Sequence, residues 1–315
     1  MTFSHEIALG CGIDVGTNTV RILIAEVSGD RIARNIYSGR AITRLGAGLT
    51  QTGRLSPEGV VKTIELFKSF REVIDKHHVK HIFAAATSAV READDSAEFL
   101  AAANTAGIPL ITISGEEEAR YIYKGVMSGL AASGEHTLIY DIGGGSTEII
   151  YAGREGVRFV KSVPVGVVKL ADSFNFRKAV PPQLIDDCSA YINILLKPVF
   201  DELLAFSGGA DTGIPIGTAG TVTTVAAVDM EMELYNPEII NSHILTDERL
   251  ALMAEKLSKI SAPERLTVKG LERGREDILI PGILIVREIL RITGCDRSTV
   301  SDNALREGLT IASVD

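Results

Sequence analysis

The sequence predicts a mixed α/β protein built from two similar domains. Apolar strand-like runs alternate with segments of helical periodicity along most of the 315 residues, which is typical of sheets covered by helices. The pattern begins twice, because an apolar strand followed by Asp-x-Gly occurs at Asp14 and again at Asp141. The length also exceeds that of one comfortable hydrophobic core. We therefore expect duplicated domains that face one another.

The first half contains clear start and stop signals. Ser28, Gly29 and Asp30 form a hairpin turn between two strands. Ser56 begins a helix with Pro57 at its first helical position, and apolar residues follow at helical spacing. The predicted elements are strands at 7–14, 20–27, 81–86 and 108–113, and helices that begin at Ser56 and cover 95–106.

The second half repeats this organisation after a new apolar strand. A glycine-threonine turn near 217 precedes one of its helices. The predicted elements are strands at 136–141, 147–153 and 214–217, and helices at 182–206, from about 220, at 247–259, at 276–292 and from Ser301 to the end.

Composition argues against several classes of protein. Lys and Arg number 32 and Asp and Glu 41, giving a net charge of −9, and the chain has no Trp. A protein that coats nucleic acid is usually basic and presents aromatic stacking platforms. We therefore expect no nucleic-acid partner, and any polyanion must be bound by a local group of residues.

The cysteines and the lengths of the apolar runs indicate in which cellular compartment the protein is expected. Cys11, Cys188 and Cys295 are odd in number and far apart, so they form neither a zinc pattern nor a disulfide framework. No apolar run has membrane-spanning length, and no targeting segment is evident at the N-terminus. The expectation is a cytoplasmic protein without a membrane partner.

Three glycine-rich turns each follow a predicted strand. Glycine lets consecutive backbone N–H groups approach an oxyanion, and hydroxyl and amide side chains add donors. None of the turns fits the P-loop or the dinucleotide fingerprint, and a coincidence of tight turns remains the alternative. The candidate phosphate-binding residues are Gly16, Thr17, Asn18, Thr19, Gly143, Gly144, Gly145, Ser146, Thr147, Gly217, Thr218, Gly220 and Thr221.

Acidic residues beside these turns are candidate metal ligands. Asp14 and Asp141 end their strands, and Glu148 lies seven residues after Asp141 on the returning strand. Magnesium prefers a few carboxylates and several retained waters, so this set suffices for a site. The alternative for Glu148 is a solvated strand residue.

Two charged residues are candidates for catalysis. Ser114 and Glu117 have the spacing of a capping box, which gives Glu117 a structural role and leaves Glu118 as the better general base. Arg91 follows a buried strand, where it would support the charge on a transferring phosphoryl group. A solvated Glu118 and a surface ion pair of Arg91 with Glu92 or Asp94 are the alternatives.

With these residues in order, the chain resembles the Ppx/GppA family of exopolyphosphatases and guanosine pentaphosphate phosphohydrolases, within the actin, hexokinase and Hsp70-like superfamily. The matching stretches keep the family order over nearly the whole chain. They are GIDVGTNTVR (12–21), AATSAVREA (85–93), ISGEEEARYIYKGV (113–126), LIYDIGGGSTEII (138–150), SVPVGVVKL (162–170), IGTAGTVTTVA (216–226), REDILIPGILIV (275–286) and VSDNALREG (300–308).

The resemblance implies two ribonuclease H-like domains with a cleft between them. Domain I would cover 1–125, with 302–315 packing back on it, and domain II would cover 126–301. The family's catalytic glutamate falls on Glu118 and its phosphate-contacting arginine on Arg91. The cofactor would be magnesium, or manganese as an alternative. The implied metal ligands are Asp141, Glu148 and Asp14.

The implied activity is magnesium-dependent release of terminal orthophosphate from inorganic polyphosphate. The alternatives are hydrolysis of guanosine pentaphosphate, a sugar or acetate kinase, and a guanosine polyphosphate-binding module without hydrolysis. No feature suggests an actin-like filament, and a homodimer is a family-level expectation. Longer members carry an additional HD-type helical region, so we expect lower processivity here. The expected basic lining is Lys169, Arg177, Lys178 and Arg21.

Overall fold

The computed structural model describes residues 7–130, 136–209 and 213–315. Within these residues the chain divides into two compact units. Unit 1 contains 7–130 and 303–315, and unit 2 contains 136–209 and 213–302. Each unit has one sheet, of five strands in unit 1 and six in unit 2. The predicted α/β class with two sheets is confirmed.

The elements follow one another in the order expected of alternating strands and helices. Up to residue 130 they are β1 (Ala8–Val15), β2 (Thr19–Ser28), β3 (Arg31–Ile42), α1 (Leu49–Thr52), α2 (Pro57–Lys76), β4 (His81–Ala86), α3 (Ser88–Glu92), α4 (Ser96–Thr105), β5 (Leu110–Thr112) and α5 (Gly115–Gly129).

The remaining elements belong to unit 2, except the last helix, which belongs to unit 1. They are β6 (His136–Ile142), β7 (Thr147–Gly153), β8 (Gly156–Val163), α6 (Val167–Ser173), α7 (Pro182–Ser207), β9 (Ile216–Thr218), α8 (Ala219–Asp229), α9 (Pro237–Ile240), β10 (Ile244–Thr246), α10 (Asp247–Ser258), α11 (Ala262–Arg265), α12 (Leu279–Thr293), β11 (Arg297–Val300) and α13 (Leu305–Ala312).

The sheet of unit 1 has the order β3-β2-β1-β4-β5. β1, β2 and β3 pair antiparallel, whereas β1, β4 and β5 are parallel. The backbone of α13 lies directly on β1, because a Cβ added at Gly12 would be 2.5 Å from the Arg306 carbonyl oxygen. The chain end is therefore part of this unit's core.

The sheet of unit 2 has the order β10-β11-β9-β6-β7-β8. β6, β7 and β8 pair antiparallel, and β6, β9 and β11 are parallel. Both units thus combine an antiparallel three-stranded meander with parallel strands on the other side of its first strand. The repeat read from Asp14 and Asp141 corresponds to the turns after β1 and β6.

The prediction for the end of the chain was wrong in one respect. A helix was expected from Ser301, yet 297–300 form strand β11 and helix α13 begins at Leu305. β11 is four residues long and pairs with β9, with Thr299 opposite Ile216. A strand this short depends on its partner rather than on local sequence.

Each unit has a separate hydrophobic core. Phe67 on α2 is fully buried in unit 1 and lies near Phe99 of α4, with ring centroids 6.3 Å apart. Tyr140 and Phe176 are fully buried in unit 2. Among the helices of the described ranges, none combines the length and apolar character needed to cross a membrane.

Candidate active site

In unit 1 the ends of three parallel strands bring distant residues to one edge of the sheet. Asp14 on β1 is opposite Ala85 on β4, and Ala86 is opposite Thr112 on β5. The segments that follow these strands carry the first glycine loop, helix α3 and the start of α5. Carboxyl ends of parallel strands are the usual ligand-binding edge of α/β sheets. This edge is the candidate active site of unit 1.

The first glycine loop, residues 16–18, is a tight turn between β1 and β2. The N–H of Gly16 donates to the Thr19 carbonyl at 3.0 Å. Thr17, Asn18 and Thr19 are all buried, with at most 9% exposed. Nδ2 of Asn18 is buried without a hydrogen-bond partner among the described residues, which is a costly state unless a ligand or water completes it.

A segment that sequence reasoning missed, residues 43–46, contacts this loop. The N–H groups of Thr43 and Arg44 both donate to the Asn18 carbonyl at 3.0 Å. The N–H of Gly46 donates to the Thr17 carbonyl at 2.8 Å. The sequence offered little signal, because the contact joins segments far apart in the chain through backbone groups. Residues 43–46 also carry no motif of their own that resembles the first glycine loop.

Arg91 and Glu118 form an ion pair at the same edge. Nη1 of Arg91 lies 3.3 Å from Oε2 of Glu118 and donates to the Ile113 carbonyl at 2.8 Å. Glu118 is only 7% exposed, so the solvated alternative is excluded. The structure gives Arg91 these partners rather than the surface pair considered with Glu92, whose Oε1 accepts from Ser88.

The first turn of α5 explains why Glu118 is available for this pair. Oγ of Ser114 accepts from the Glu117 N–H at 3.1 Å, and the Glu117 carboxylate accepts from the Ser114 N–H at 2.8 Å. The predicted capping box is therefore confirmed. Its hydrogen bonds lower the pKa of Glu117, while Glu118 is directed to the buried side of the helix.

Asp14 lies at the end of β1 and keeps part of its surface exposed. The protein atoms around it nevertheless desolvate the carboxyl and raise its pKa from 3.8 to about 6, against the opposing charges of Arg21 and Arg306. Arg21 is the cross-strand neighbour of Asp14 on β2. At neutral pH the carboxylate is mostly ionised, but the charges of Arg21 and Arg306 do not offset its loss of solvation. Such a carboxylate is suited to binding a cation.

Unit 2 has a corresponding edge at the ends of β6 and β9. Asp141 on β6 is opposite Thr218 on β9, and the two strands are parallel. The second glycine loop, residues 143–146, follows β6. Its Gly143 N–H donates to the Ser146 carbonyl at 2.9 Å. The loop is thus a tight turn of the same kind as the first.

Helix α6 holds the second glycine loop from the carbonyl side. The N–H of Val167 donates to the Gly143 carbonyl at 3.1 Å, and the N–H groups of Val168 and Lys169 donate to the Gly144 carbonyl at 2.8 and 3.3 Å. A Cβ added at Gly166 would be only 2.4 Å from that Gly144 oxygen. This places Lys169 at the loop, whereas Arg177 and Lys178 are exposed in the connection between α6 and α7.

Two candidate metal ligands face each other across the β6–β7 hairpin. Asp141 is directly opposite Glu148 in the antiparallel register, so both side chains lie on one face of the sheet. Asp141 is 6% exposed and Glu148 is fully buried, and Ser162 donates to Oε1 of Glu148 at 2.7 Å. The solvated alternative for Glu148 is therefore excluded.

This arrangement fits magnesium. Like charges placed directly opposite on neighbouring strands repel each other, and a divalent cation held by both would relieve the repulsion. The described part of the chain contains no group of three or more His, Cys, Asp or Glu side chains arranged to hold a metal. Magnesium does not need one, because it takes oxygen ligands and usually keeps several waters.

The third predicted turn belongs largely to regular structure. Gly217 and Thr218 are in β9, and Gly220 and Thr221 are in the first turn of α8. A Cβ at Gly217 would be 2.5 Å from the Tyr140 ring, which accounts for this glycine by packing. Oγ1 of Thr218 donates to the Ser301 carbonyl at 2.9 Å. Phosphate binding by these residues stays a prediction.

Two further side chains at the candidate edge of unit 2, Thr147 and Arg275, donate hydrogen bonds to backbone carbonyls. Oγ1 of Thr147 is fully buried and donates to the Val165 carbonyl at 2.6 Å, so its hydroxyl has a structural partner. Arg275 was not selected from the sequence as a site residue. It is 3% exposed, and its Nη1 donates to the Gly220 carbonyl at 3.2 Å. The same guanidinium, at the start of α8, pairs with Glu272, with Nε 3.3 Å from Oε2.

Comparison with known proteins agrees with these observations. A model of the Ppx/GppA phosphatase family matches residues 23–315. A bifunctional 3-dehydroquinate synthase/phosphatase of Fusobacterium nucleatum is 31% identical over 98% of this chain, which spans 47% of that protein. Exopolyphosphatase 2 of Mycobacterium tuberculosis is 28% identical over 95% of this chain and 97% of its own length.

A solved structure extends the similarity to the whole fold. The Ppx/GppA family member of Aquifex aeolicus is 29% identical, with a TM-score of 0.81 over 98% of both chains. The fold class is therefore that of the actin, hexokinase and Hsp70-like superfamily with its ribonuclease H-like domains, as predicted. Within that class the chain belongs to the Ppx/GppA phosphatase family, and it is an enzyme of the phosphoric anhydride hydrolase type.

Proposed function

We propose that this chain releases terminal orthophosphate from inorganic polyphosphate by magnesium-dependent hydrolysis. The observation that carries the proposal is the ion pair between Arg91 and the buried Glu118, 3.3 Å apart, at the sheet edge that also holds Asp14 and the first glycine loop. The similarity to an exopolyphosphatase from Mycobacterium tuberculosis supports polyphosphate as the substrate.

Glu118 is the residue assigned to the attacking water. Its carboxylate orients the water in line with the terminal phosphorus and accepts a proton as the new P–O bond forms. The bridging P–O bond breaks at the same time, and the shortened polyphosphate leaves with the bridging oxygen. Nη1 of Arg91 fixes the carboxylate, and the rest of the guanidinium supports the charge on the equatorial oxygens. The proton then passes to solvent.

The glycine loops and acids have the binding roles. Backbone N–H groups and hydroxyls of the two glycine loops bind phosphate oxygens, because turns of this kind form anion-binding concavities. Asp141 and Glu148 would hold magnesium in unit 2, and Asp14 would be a ligand in unit 1. When bound, magnesium neutralises the oxygens of the phosphate chain. That both edges act on one substrate stays a prediction.

The test is phosphate release from polyphosphates of several lengths, measured beside guanosine pentaphosphate and with increasing magnesium. Glu118→Gln should lower the rate on the order of a hundredfold or more, because a positioned catalytic group is lost. Glu116→Gln is the matched control, since Glu116 is in the same helical turn and exposed. It should keep the wild-type rate.

Three outcomes of this assay would contradict parts of the proposal. Near-normal turnover of Glu118→Gln would remove Glu118 from the mechanism. Faster release from guanosine pentaphosphate than from polyphosphate would replace the proposed substrate by the alternative. Binding of both compounds without release of phosphate would replace the enzyme by a binding module.

A further inference from the structure

The segment 43–46, which we call the loop brace, occupies the carbonyl side of the first glycine loop. It binds the carbonyl oxygens of Thr17 and Asn18 through three N–H groups. In a trans peptide unit the C=O and N–H bonds point in opposite directions. The N–H groups of Asn18 and Thr19 share these two peptide planes, so they point away from the brace. The brace therefore decides where the donors of this loop are directed.

Gly46 sets how closely the brace approaches the loop. A Cβ at this position would lie 2.4 Å from Cγ2 of Thr17 and 3.1 Å from Cβ of Ala89 on α3. Both distances are shorter than ordinary carbon–carbon contacts. Gly46 does not have a positive φ angle. The need for glycine at this position therefore comes from the close approach of neighbouring atoms and not from the backbone conformation. The same position also touches the helix that carries Arg91.

The brace is itself anchored to the start of α2. The N–H of Ser56 donates to the Leu45 carbonyl at 2.8 Å. Leu45 is fully buried, and a Cβ at Gly59 would lie 2.7 Å from its Cα. These contacts fix the brace from the side opposite to the glycine loop. A fixed support of this kind is what a preorganised binding site requires.

We propose that the loop brace is a positioning element of the phosphate site and that Gly46 is the residue that sets its position. The inference deepens the proposed function and rests on it. A side chain at position 46 would separate the brace from the loop and turn the peptide planes of residues 17–19. Binding of the phosphate chain would weaken, so KM should rise more than kcat falls.

The experiment is a double-mutant cycle between positions 46 and 17. Gly46→Ala should raise KM for polyphosphate by roughly tenfold, the scale of coupling between contacting residues. Thr17→Ser removes the Cγ2 that the new methyl group meets and keeps the hydroxyl. The effect of Gly46→Ala should therefore be several-fold smaller when it is combined with Thr17→Ser.

Gly10→Ala is the matched control. Gly10 is buried on the same strand that leads to the loop, and its Cβ would be 2.6 Å from the Thr310 carbonyl oxygen. This variant should lower Tm without changing KM. Calorimetric binding of tripolyphosphate to each folded variant separates loss of binding from loss of chemistry.

The outcomes distinguish the inference from the proposed function. A folded Gly46→Ala protein with wild-type KM overturns the inference alone, as does an equal effect with and without Thr17→Ser. Wild-type protein that neither binds nor hydrolyses phosphate chains overturns both. If Gly46→Ala fails to fold, recovery of folding and KM in the double variant supports the inference, and an equally impaired double variant overturns it.

Discussion

Asp14 lowers the stability of the folded protein at neutral pH. Its pKa rises from 3.8 to about 6 because burial desolvates the carboxyl. Between these values the folded state holds a proton that the unfolded state has lost, so stability decreases as pH rises through this window. The loss is complete about one pH unit above the folded-state pKa. Such a cost is typical of residues kept for function rather than for folding.

Asp14→Asn should therefore be more stable than wild type and inactive. The gain should be near zero at pH 4 and reach at most about 3 kcal/mol at pH 7.5, which is the pKa difference converted at 1.36 kcal/mol per unit. Urea unfolding across this pH range measures it. Glu65→Gln, which changes an exposed acid of α2, is the control without such a gain. A gain that is independent of pH would contradict the assignment.

Local spacing distinguished the two neighbouring glutamates Glu117 and Glu118. Ser114 and Glu117 are three residues apart, and this alone predicted the capping box that the structure contains. Glu118 was thereby left for another role. Its partner Arg91 is 27 residues away in sequence. Nothing local specifies that pair, because it depends on the parallel alignment of β4 and β5.

At the level of elements, α5 links the capping box to the candidate site. Its N-cap satisfies an N–H group of the first turn, and that turn carries Glu118. The position of the Glu118 carboxylate therefore depends on the first turn of α5 being well ordered. α10 offers a comparison, since the Thr246 side chain caps its Arg249 N–H in a unit 2 helix.

Ser114→Ala should cost about 1 kcal/mol of stability through loss of the cap. It should also lower phosphate release several-fold, because the first turn of α5 frays and Glu118 loses its fixed position. Thr246→Ala should have a similar cost in urea unfolding but normal turnover. Equal turnover of the two variants would argue against a link between the cap and the site.

Elements with a clear local pattern were predictable, including the short strand β4 at 81–86, whereas β11 was not. Helix α2 begins directly after the expected Ser56, and α7 spans Pro182–Ser207 against the expected 182–206. The short strand β11 and the start of α13 were misassigned, since β11 exists only through pairing with β9 and β10. The loop brace was missed for a related reason. Its contacts are backbone hydrogen bonds to a segment about 26 residues earlier, which leave no side-chain pattern.

For the whole molecule, the presence of two separate hydrophobic cores affects how cooperatively the protein unfolds. Each unit buries its own apolar cluster, so each has the means to unfold as its own cooperative unit. We therefore expect the whole protein to depart from two-state unfolding.

Calorimetry of two core variants tests this. Phe67→Ala in unit 1 and Phe176→Ala in unit 2 remove fully buried side chains, at a cost of about 3–5 kcal/mol each. Each variant should lower a different thermal transition and leave the other nearly unchanged. A single transition lowered equally by both variants would show instead that the two units unfold together.

Several expectations about the whole protein stay predictions. These are the cytoplasmic location, the homodimer, and the preference for polyphosphate over guanosine pentaphosphate. The net charge of −9 still requires that a polyanion be bound by local donors such as those of the glycine loops. Measurements on the intact protein with each substrate decide the preference.

The sequence by itself determined the α/β class, the repeat, the family and the capping box of Ser114 and Glu117, because periodicity, glycine turns and capping act over a few residues. Tertiary structure decided which residues meet. It paired Arg91 with Glu118, set Asp141 against Glu148, and placed the loop brace on the first glycine loop. These contacts arise from strand order and register, which are fixed only when distant segments bury their apolar faces together.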